Sequence, residues 1–440
     1  MRKLLSFLRG FGLVAVLVAG LLIWSQLSWP AVVLLLVLLG LWLGLTRRGR
    51  QTLSITGVGI STLRQRVGAS LVVVIGIAGV VGVLVAMLAM GEGFQQTLQQ
   101  TGADDTAIVL RGGSNAELNS VLDRDSVNVI TQAPGVVRGA DGKPVASAEL
   151  SVVANLPKRS DPSVDANVQI RGVGDEAWTL RPNVKIVQGR RFKPGLRELV
   201  VGQGALRQFA GLEVGRQLRL AGQEWNIVGE FTTGDSHDSE LWGDAQTVAS
   251  AYRRGSSAQS VTVRLTSAQA FAAFKAALAS DPRLKVDVST TREYFSKQSE
   301  ALTKVIRVVG ITVGVIMAIG AIFGALNTMF AAIAARAREI ATLRAIGFRG
   351  MPVVVSVLLE TMLLALLGGV LGGLISWLIF NGYTASTLGA NFSQVVFQFK
   401  VSPQLLWLGI KWAMAIGFVG GLFPAVRAAR LPVATALREL

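Results

Sequence analysis

The chain has 440 residues, of which 51% are hydrophobic and 16% charged, whereas an average soluble domain has about 25% charged residues. It contains no cysteine, which excludes a disulfide scaffold and a cysteine-ligated metal site. The formal net charge is +16, yet residues 91–304 hold 25 of the 43 Lys and Arg and 24 of the 27 Asp and Glu. The basic excess therefore flanks apolar runs elsewhere, which argues against a nucleic-acid-binding protein and indicates a membrane protein.

Two short apolar runs open the chain, Phe11–Leu27 and Ser28–Leu45. The link between them is uncharged and carries Trp24 and Trp29 nearby, and tryptophan favours the headgroup level of a bilayer. We therefore expect a tight hairpin of two spans within residues 1–50. The first run could instead be a secretory signal, since basic residues precede it, but no clean small-x-small cleavage site follows.

Four longer runs have the roughly 20 residues that cross a bilayer as a helix. They are Ala69–Met90, Val305–Ala332, Val353–Phe380 and Leu405–Val426. With six spans, four basic segments fall on one face, and they hold 15 of the 18 basic residues outside 91–304. By the positive-inside bias this face is the cytoplasm, so that 91–304 and the loop 381–404 face outward.

The outward segment has mixed patterning and is expected to form an α+β domain. Strands are predicted at Ala107–Leu110, Val127–Ile130, Glu149–Ala154, Glu198–Val201, Gln217–Leu220, Trp225–Phe231 and Ala258–Leu265. A helix is predicted at Ala268–Ser280, with Phe271, Phe274 and Leu278 on one face.

The single histidine, His237, lies among Asp235, Asp238, Glu240 and Asp244. Such a cluster could suggest a metal site. Because no second nitrogen or sulfur ligand is present, we expect a solvated acidic loop and no metal.

Two helices are expected to continue beyond the membrane as stalks. After Met90 the chain becomes polar, with Phe94 and Leu98 at i, i+4 on one face. Thr290 and Glu293 match a capping box.

No proline follows this box until Pro352. A helix over 291–334 would be about 65 Å long, about twice the ~30 Å hydrocarbon core. Its first part, including Glu293 and Glu300, would then project outward and could carry a movement across the bilayer. The alternative is a helix that breaks at the membrane surface and transmits nothing.

Residues 333–350 predict a short charged helix on the cytoplasmic face. Ile340, Leu343 and Gly347 could line one side, and Gly347 helps to end the helix. Its charged residues are Arg336, Arg338, Glu339 and Arg344. Such a helix suits docking into a cleft of a soluble partner, although a solvated positive-inside loop would have the same composition.

Two charges lie within predicted spans, Glu360 in the fifth and Lys411 in the sixth. Charges there are costly and usually face the interior of the helix bundle. The two could form a pair. Alternatively, Lys411 could extend outward and polar neighbours such as Ser356 or Thr361 could hold Glu360.

Several segments resemble one family. Residues 336–350, RAREIATLRAIGFRG, resemble the cytoplasmic signature of FtsX-like permeases, the MacB-type branch of ABC transporters. The end of the chain, GLFPAVRAARLPVATAL at 421–437, is similar to the family's C-terminal motif. Residues 60–91 look like its amphipathic leader and first span, and 187–231 resemble its periplasmic core. The resemblance covers most of residues 55–440, and the N-terminal hairpin lies outside the usual four-span pattern.

The resemblance implies an α-helical polytopic membrane protein of the bacterial inner membrane. It would have four family spans plus the N-terminal hairpin, and an α+β periplasmic domain inserted between the third and fourth spans. The expected segments are the hairpin (1–50), the leader and third span (51–90), the periplasmic domain with its stalk (91–304), and three spans (305–440) that include the coupling segment 333–350.

The resemblance also implies an ATPase, but the 440 residues contain no Gly-x4-Gly-Lys-Ser/Thr phosphate loop. The chain is therefore expected not to be an enzyme and to hold no cofactor, with ATP and Mg²⁺ bound by a separate cytoplasmic ABC ATPase dimer. Further expected partners are a second permease copy or paralogue, the lipid bilayer and, in some systems, a periplasmic adaptor and an outer-membrane channel.

The expected function is mechanotransmission from that ATPase to the periplasmic domain, to export or release a cargo. One alternative is a regulatory scaffold that relays ATPase movement to an external cell-wall hydrolase. A membrane-bound enzyme is a third, which the single histidine disfavours because it limits acid–base chemistry.

Overall fold

The structure is a computed structural model that describes residues 19–20, 23–61, 66–389 and 391–430. The chain separates into two compact units. The first unit is helical and comprises Met1–Ala89, Ile306–Asn381 and Lys400–Leu440. The second unit holds the described strands and comprises Met90–Val305 and Gly382–Phe399.

The helices are α1 (Trp29–Leu45), α2 (Arg47–Ser61), α3 (Val67–Thr101), α4 (Arg124–Thr131), α5 (Glu176–Leu180), α6 (Gln203–Gln208), α7 (Ala245–Ala251), α8 (Ala270–Ser280), α9 (Thr291–Ala335), α10 (Ala337–Ala345), α11 (Gly350–Phe380) and α12 (Pro403–Arg430). The strands are β1 (Thr106–Arg111), β2 (Ala146–Pro157), β3 (Asp165–Val173), β4 (Lys185–Gly189), β5 (Glu198–Gly202), β6 (Gln217–Leu220), β7 (Gln223–Thr232), β8 (Glu240–Asp244), β9 (Ser260–Arg264), β10 (Val286–Thr290), β11 (Thr384–Leu388) and β12 (Gln394–Gln398).

Among the described residues, α3, α9, α11 and α12 are long and apolar enough to cross a membrane, and α1 with α2 qualifies as a bent pair. These four helices confirm the four longer predicted spans. Helix α1 corresponds to the second run of the predicted hairpin, whereas most of the first run, with its alternative as a secretory signal, lies outside the described residues.

Helices α1 and α2 meet at 95°. Thr46 lies at this corner, where its Oγ1 donates to the carbonyl of Trp42 at 2.8 Å and accepts from the backbone N–H of Gly49 at 2.9 Å. The threonine thus caps the N–H of Gly49 in the first turn of α2 and adds a second bond to the Trp42 carbonyl, which also accepts the backbone N–H of Thr46.

Helices α3 and α9 both continue past their apolar segments, as predicted. Helix α9 has 45 residues and is about 65 Å long at about 1.5 Å per residue. It begins where Thr290 Oγ1 accepts the backbone N–H of Glu293 at 3.1 Å, which is one half of the predicted capping box. The alternative of a helix that breaks at the membrane surface is wrong, because this helix is continuous.

The second unit contains a mixed sheet in the order β10-β1-β9-β2-β3-β8-β5-β7-β4, and β6 pairs with β7. Two pairs are parallel, β3 with β8 and β5 with β7, and the others are antiparallel. Helices α4 and α8 cover β1, β9 and β10 through residues such as Ile130 and Phe274. A second core lies between β2, β3, β5, β7 and helices α6 and α7, around Trp225 and Phe209.

Most predicted strands coincide with observed ones, but Val127–Ile130 is wrong because it lies in α4. The β-branched residues there suggested a strand. Asp123 instead caps a helix by accepting the backbone N–H of Ser126 at 2.7 Å, and Ile130 is fully buried on the inner face. Capping and burial outweigh the weak β-propensity. Strands β3, β4, β8 and β10 and the hairpin β11–β12 had no sequence prediction.

Candidate coupling site

The predicted coupling segment contains a distinct helix. Helix α9 ends at Ala335 and α10 begins at Ala337, with the break at Arg336. Helix α10 ends at Ala345, and Gly347 follows with a φ of +105°. The N–H of Phe348 bonds to the carbonyl of Leu343 and that of Gly347 to Arg344. This pair of bonds is the Schellman motif, which favours glycine because a Cβ is strained at positive φ.

Glu360 links three parts of the helical unit. Its Oε1 lies 3.3 Å from Arg66 Nη2, and its Oε2 lies 3.2 Å from Arg336 Nη1. Arg336 also donates through Nε to Glu339 at 3.1 Å. Because Glu360 is only 4% exposed, the two guanidinium groups compensate its burial. The break between α9 and α10 is thereby tied to α11.

Both sequence interpretations of Glu360 are wrong. Glu360 does not pair with Lys411, and Ser356 and Thr361 do not hold it, because Ser356 bonds to Thr56 and Thr361 bonds to carbonyls of its own helix.

Lys411 is buried, and its side chain extends towards the segment that precedes α1. Its Nζ donates to the carbonyls of Ser25 at 2.7 Å and Leu27 at 3.4 Å. Trp24 Nε1 in turn donates to the carbonyl of Lys411 at 2.8 Å. The lysine therefore anchors the segment that precedes α1 to α12, satisfying carbonyls that follow a helical turn.

Helix α2 packs against α11 near Glu360. Ile55 joins a core cluster with Met329, Ile340 and Val357, and Thr56 Oγ1 bonds to Ser356 Oγ at 3.2 Å.

The solvent-exposed side of α10 is the part of the segment that a partner can contact. Ile340, predicted for a docking face, is instead buried in the core cluster of its own unit. Arg338 and Glu339 are exposed, and Ile346 is 69% exposed at the end of the helix. The candidate docking surface therefore combines two charges with one apolar residue, and Ile346 was missed because its exposure depends on how the following turn folds.

The stalk residues form an aromatic core in the second unit. Phe94 and Leu98 of α3 contact Tyr294 and Phe295 of α9, and Phe397 of β12 completes the cluster. Phe94 and Phe397 meet edge to face, with 5.5 Å between ring centroids.

The predicted stalk acids lie on the surface of α9. Glu293 pairs with Lys297 at 2.7 Å and Glu300 is exposed, so these acids contribute little to the core.

The second unit contains a buried ion cluster that was not predicted. The guanidinium of Arg171, which is 2% exposed, lies 2.8 Å from carboxylates of Glu117, Glu149 and Glu240. Arg181 adds a second cation 2.6 Å from Glu149. These residues come from separate segments, and no local sequence signal pairs them.

These contacts keep the buried acids ionised. Burial by itself raises the pKa of Glu149, but Arg181 and Arg171 outweigh it and bring the pKa to about 2. Glu117 behaves alike: burial opposes ionisation, yet Arg171 lowers its pKa below the ordinary value. Both carboxylates are therefore charged at neutral pH.

The expectation of a solvated loop around His237 is wrong. His237 is 2% exposed, and its Nδ1 lies 2.9 Å from Asp235 Oδ1. Its ring packs against Trp242 and Phe295. Within the described residues, no group of three or more His, Asp or Glu is placed to hold a metal ion.

Comparison with known proteins matches two family models to the chain. Residues 70–281 match the MacB-like periplasmic core domain, and residues 311–433 match the FtsX-like permease C-terminal domain. The macrolide export ATP-binding/permease protein MacB of Bordetella avium is 25% identical over 89% of this chain and 61% of that protein. Its counterpart in Vibrio parahaemolyticus is 24% identical over 83% of this chain and 56% of that protein. The chain thus spans about 60% of the length of these relatives.

Two solved structures also align. The periplasmic region of MacB from Actinobacillus actinomycetemcomitans has 14% identity and a TM-score of 0.34, covering 44% of this chain and 93% of that one. The extracellular domain of the transporter YknZ from Gram-positive bacteria has 16% identity and a TM-score of 0.32, covering 42% of this chain and all of that one.

The two family models together cover most of the second unit and the helices α10, α11 and α12 that follow it. The chain belongs to the FtsX/MacB-type permeases of ABC transporters, membrane proteins with a MacB-like periplasmic domain.

Proposed function

We propose that this chain passes conformational change from a separate cytoplasmic ABC ATPase to its periplasmic domain, to export or release a cargo at the bacterial inner membrane. The observation that carries the proposal is the uninterrupted helix α9. Its first turns place Tyr294 and Phe295 in the core of the second unit. Its last turn meets Arg336, which bonds to Glu360 of α11.

The energy source is proposed to lie outside these 440 residues. They contain no phosphate loop, whereas the longer relatives are named ATP-binding/permease proteins. ATP and Mg²⁺ would be bound by an ATPase dimer, and a second permease copy or paralogue would complete the pair. A periplasmic adaptor and an outer-membrane channel would serve as further partners on the outward side.

The solvent-exposed side of α10 is the proposed docking site for this ATPase, because its exposed charges and Ile346 have the composition of a helix that enters a groove. Arg338→Glu combined with Ile346→Asp should remove the ATPase in a co-purification from membranes. Arg254→Glu, an exposed arginine of the second unit, is the matched control. Undiminished co-purification of the double variant would show that the dock lies elsewhere.

Transmission along α9 can be tested separately from docking. Lys304 is exposed on this helix, and proline there removes the N–H that bonds to the carbonyl of Glu300 and kinks the helix. Lys304→Ala keeps the helix and is the control.

With Lys304→Pro, the ATPase should still co-purify and hydrolyse ATP. ATP-driven changes in spin-label distances between the periplasmic domains of the two copies should disappear. If the proline and alanine variants give the same distance changes, α9 is not the transmitting element. Movement that alters a cell-wall hydrolase without moving cargo would instead support the regulatory scaffold.

A further inference from the structure

The strand β10 forms one end of the sheet. It pairs only with β1 among the described strands. The N–H of Gly112 donates to the carbonyl of Lys285 at 2.7 Å, just before β10. The backbone N–H and C=O groups of an antiparallel strand alternate sides from one residue to the next. Those of Asp287 and Ser289 therefore point towards β1, like those of Lys285. Val286 and Val288 therefore direct their N–H and C=O groups away from the sheet.

An open groove lies along this edge. Its volume is about 560 Å³, within the roughly 300–1,000 Å³ range of ligand sites. Lys275 and Ala279 of α8 line one wall, and Tyr294 and Lys297 of α9 line the other, with β10 between them.

The edge lacks the features that usually prevent strand addition. Natural edges carry charges, prolines or bulges. The opposite edge strand, β4, begins with Lys185 and contains a register shift between Ile186 and Gln188. Strand β10 has no proline and one charged residue, Asp287, whose carboxylate already accepts the N–H of Gly113 at 2.7 Å.

We propose that the β10 edge binds an extended polypeptide segment of a partner protein as an added strand. Only an extended backbone presents donors and acceptors at the spacing of Val286 and Val288. Side chains of the added strand alternate between the two walls. Those beside Val286, Val288 and Ala279 would be apolar, and those beside Ser289 and Lys297 would be polar. This inference does not depend on ATPase coupling.

The experiment uses the full chain in lipid nanodiscs without any ATPase. The probe is a fluorescent synthetic peptide of alternating Val and Thr, and its control is the same peptide with N-methylated backbone nitrogens. Val286→Pro removes one outward N–H at an edge position that tolerates proline, and Val286→Thr retains that N–H. Fluorescence anisotropy measures affinity, and hydrogen exchange reports on the amides of Val286 and Val288.

The plain peptide should bind wild type and Val286→Thr and slow exchange at both amides. Val286→Pro and N-methylation should each weaken binding by roughly 2–10-fold per lost hydrogen bond. Equal binding of the N-methylated peptide, or no binding of the plain one, would overturn the proposal, and these two results stand even if Val286→Pro misfolds. Concentration-dependent protection without peptide would overturn it in favour of a second copy at the edge.

Discussion

Replacing Arg171 with methionine tests whether this buried cation holds the periplasmic domain together. Methionine keeps an unbranched side chain but leaves Glu117, Glu149 and Glu240 facing one another, with Arg181 beside Glu149 alone. Removing one partner of a buried ion pair costs about 3–5 kcal/mol. Because a domain is stable by only about 5–15 kcal/mol, the free energy of unfolding should fall by a large fraction.

Hydrogen exchange of the β3 amides in the full chain measures this loss. A decrease of about 3–5 kcal/mol should accelerate exchange through unfolding by roughly two to four orders of magnitude, at tenfold per ~1.4 kcal/mol. Arg190→Met is the matched control, because Arg190 also binds a glutamate, Glu198, but its side chain is 48% exposed and solvent screens the pair. Equal acceleration in both variants would refute the reasoning.

Three further predictions concern the same structure. Because the pKa of Glu149 is about 2, below its ordinary value of 4.5, its stabilisation is present above about pH 4.5 and is lost towards pH 2. Acid titration should therefore lower the free energy of unfolding by about 3 kcal/mol over that range, and a constant value would contradict the pairing. Gly347→Ala places a Cβ at positive φ and should lower the free energy of thermal unfolding by about 1–2 kcal/mol, while Gly350→Ala makes only ordinary contacts and should be near neutral. Lys411→Met removes the donor to the segment that precedes α1 and should speed proteolysis there, whereas Lys400→Met should leave the cleavage rate unchanged.

The spans and the long helix α9 were predictable because they depend on local composition. The length and apolar composition of a run such as Val353–Phe380 are sufficient to predict a membrane span. After Thr290, no proline interrupts the helix before Pro352. Local propensity was insufficient at Val127–Ile130, where a cap and burial outweigh β-branched content.

The charged contacts were not predictable for a different reason. Arg171 meets Glu117 and Glu240 across separations of 54 and 69 residues, and Glu360 meets Arg66 across 294. The cost of burying a charge requires a partner but does not indicate which one. The pairing follows from the order of strands and the packing of helices, which a single sequence leaves open.

The division of the chain affects how the periplasmic domain can be isolated. Residues 382–399 belong to the second unit although they lie between α11 and α12. A recombinant fragment of residues 91–304 would lack Phe397 and Val395, which cover Phe94 and Phe295. Its aromatic surface would then be exposed to water, so the fragment should aggregate unless the β11–β12 hairpin is attached to it through a flexible linker.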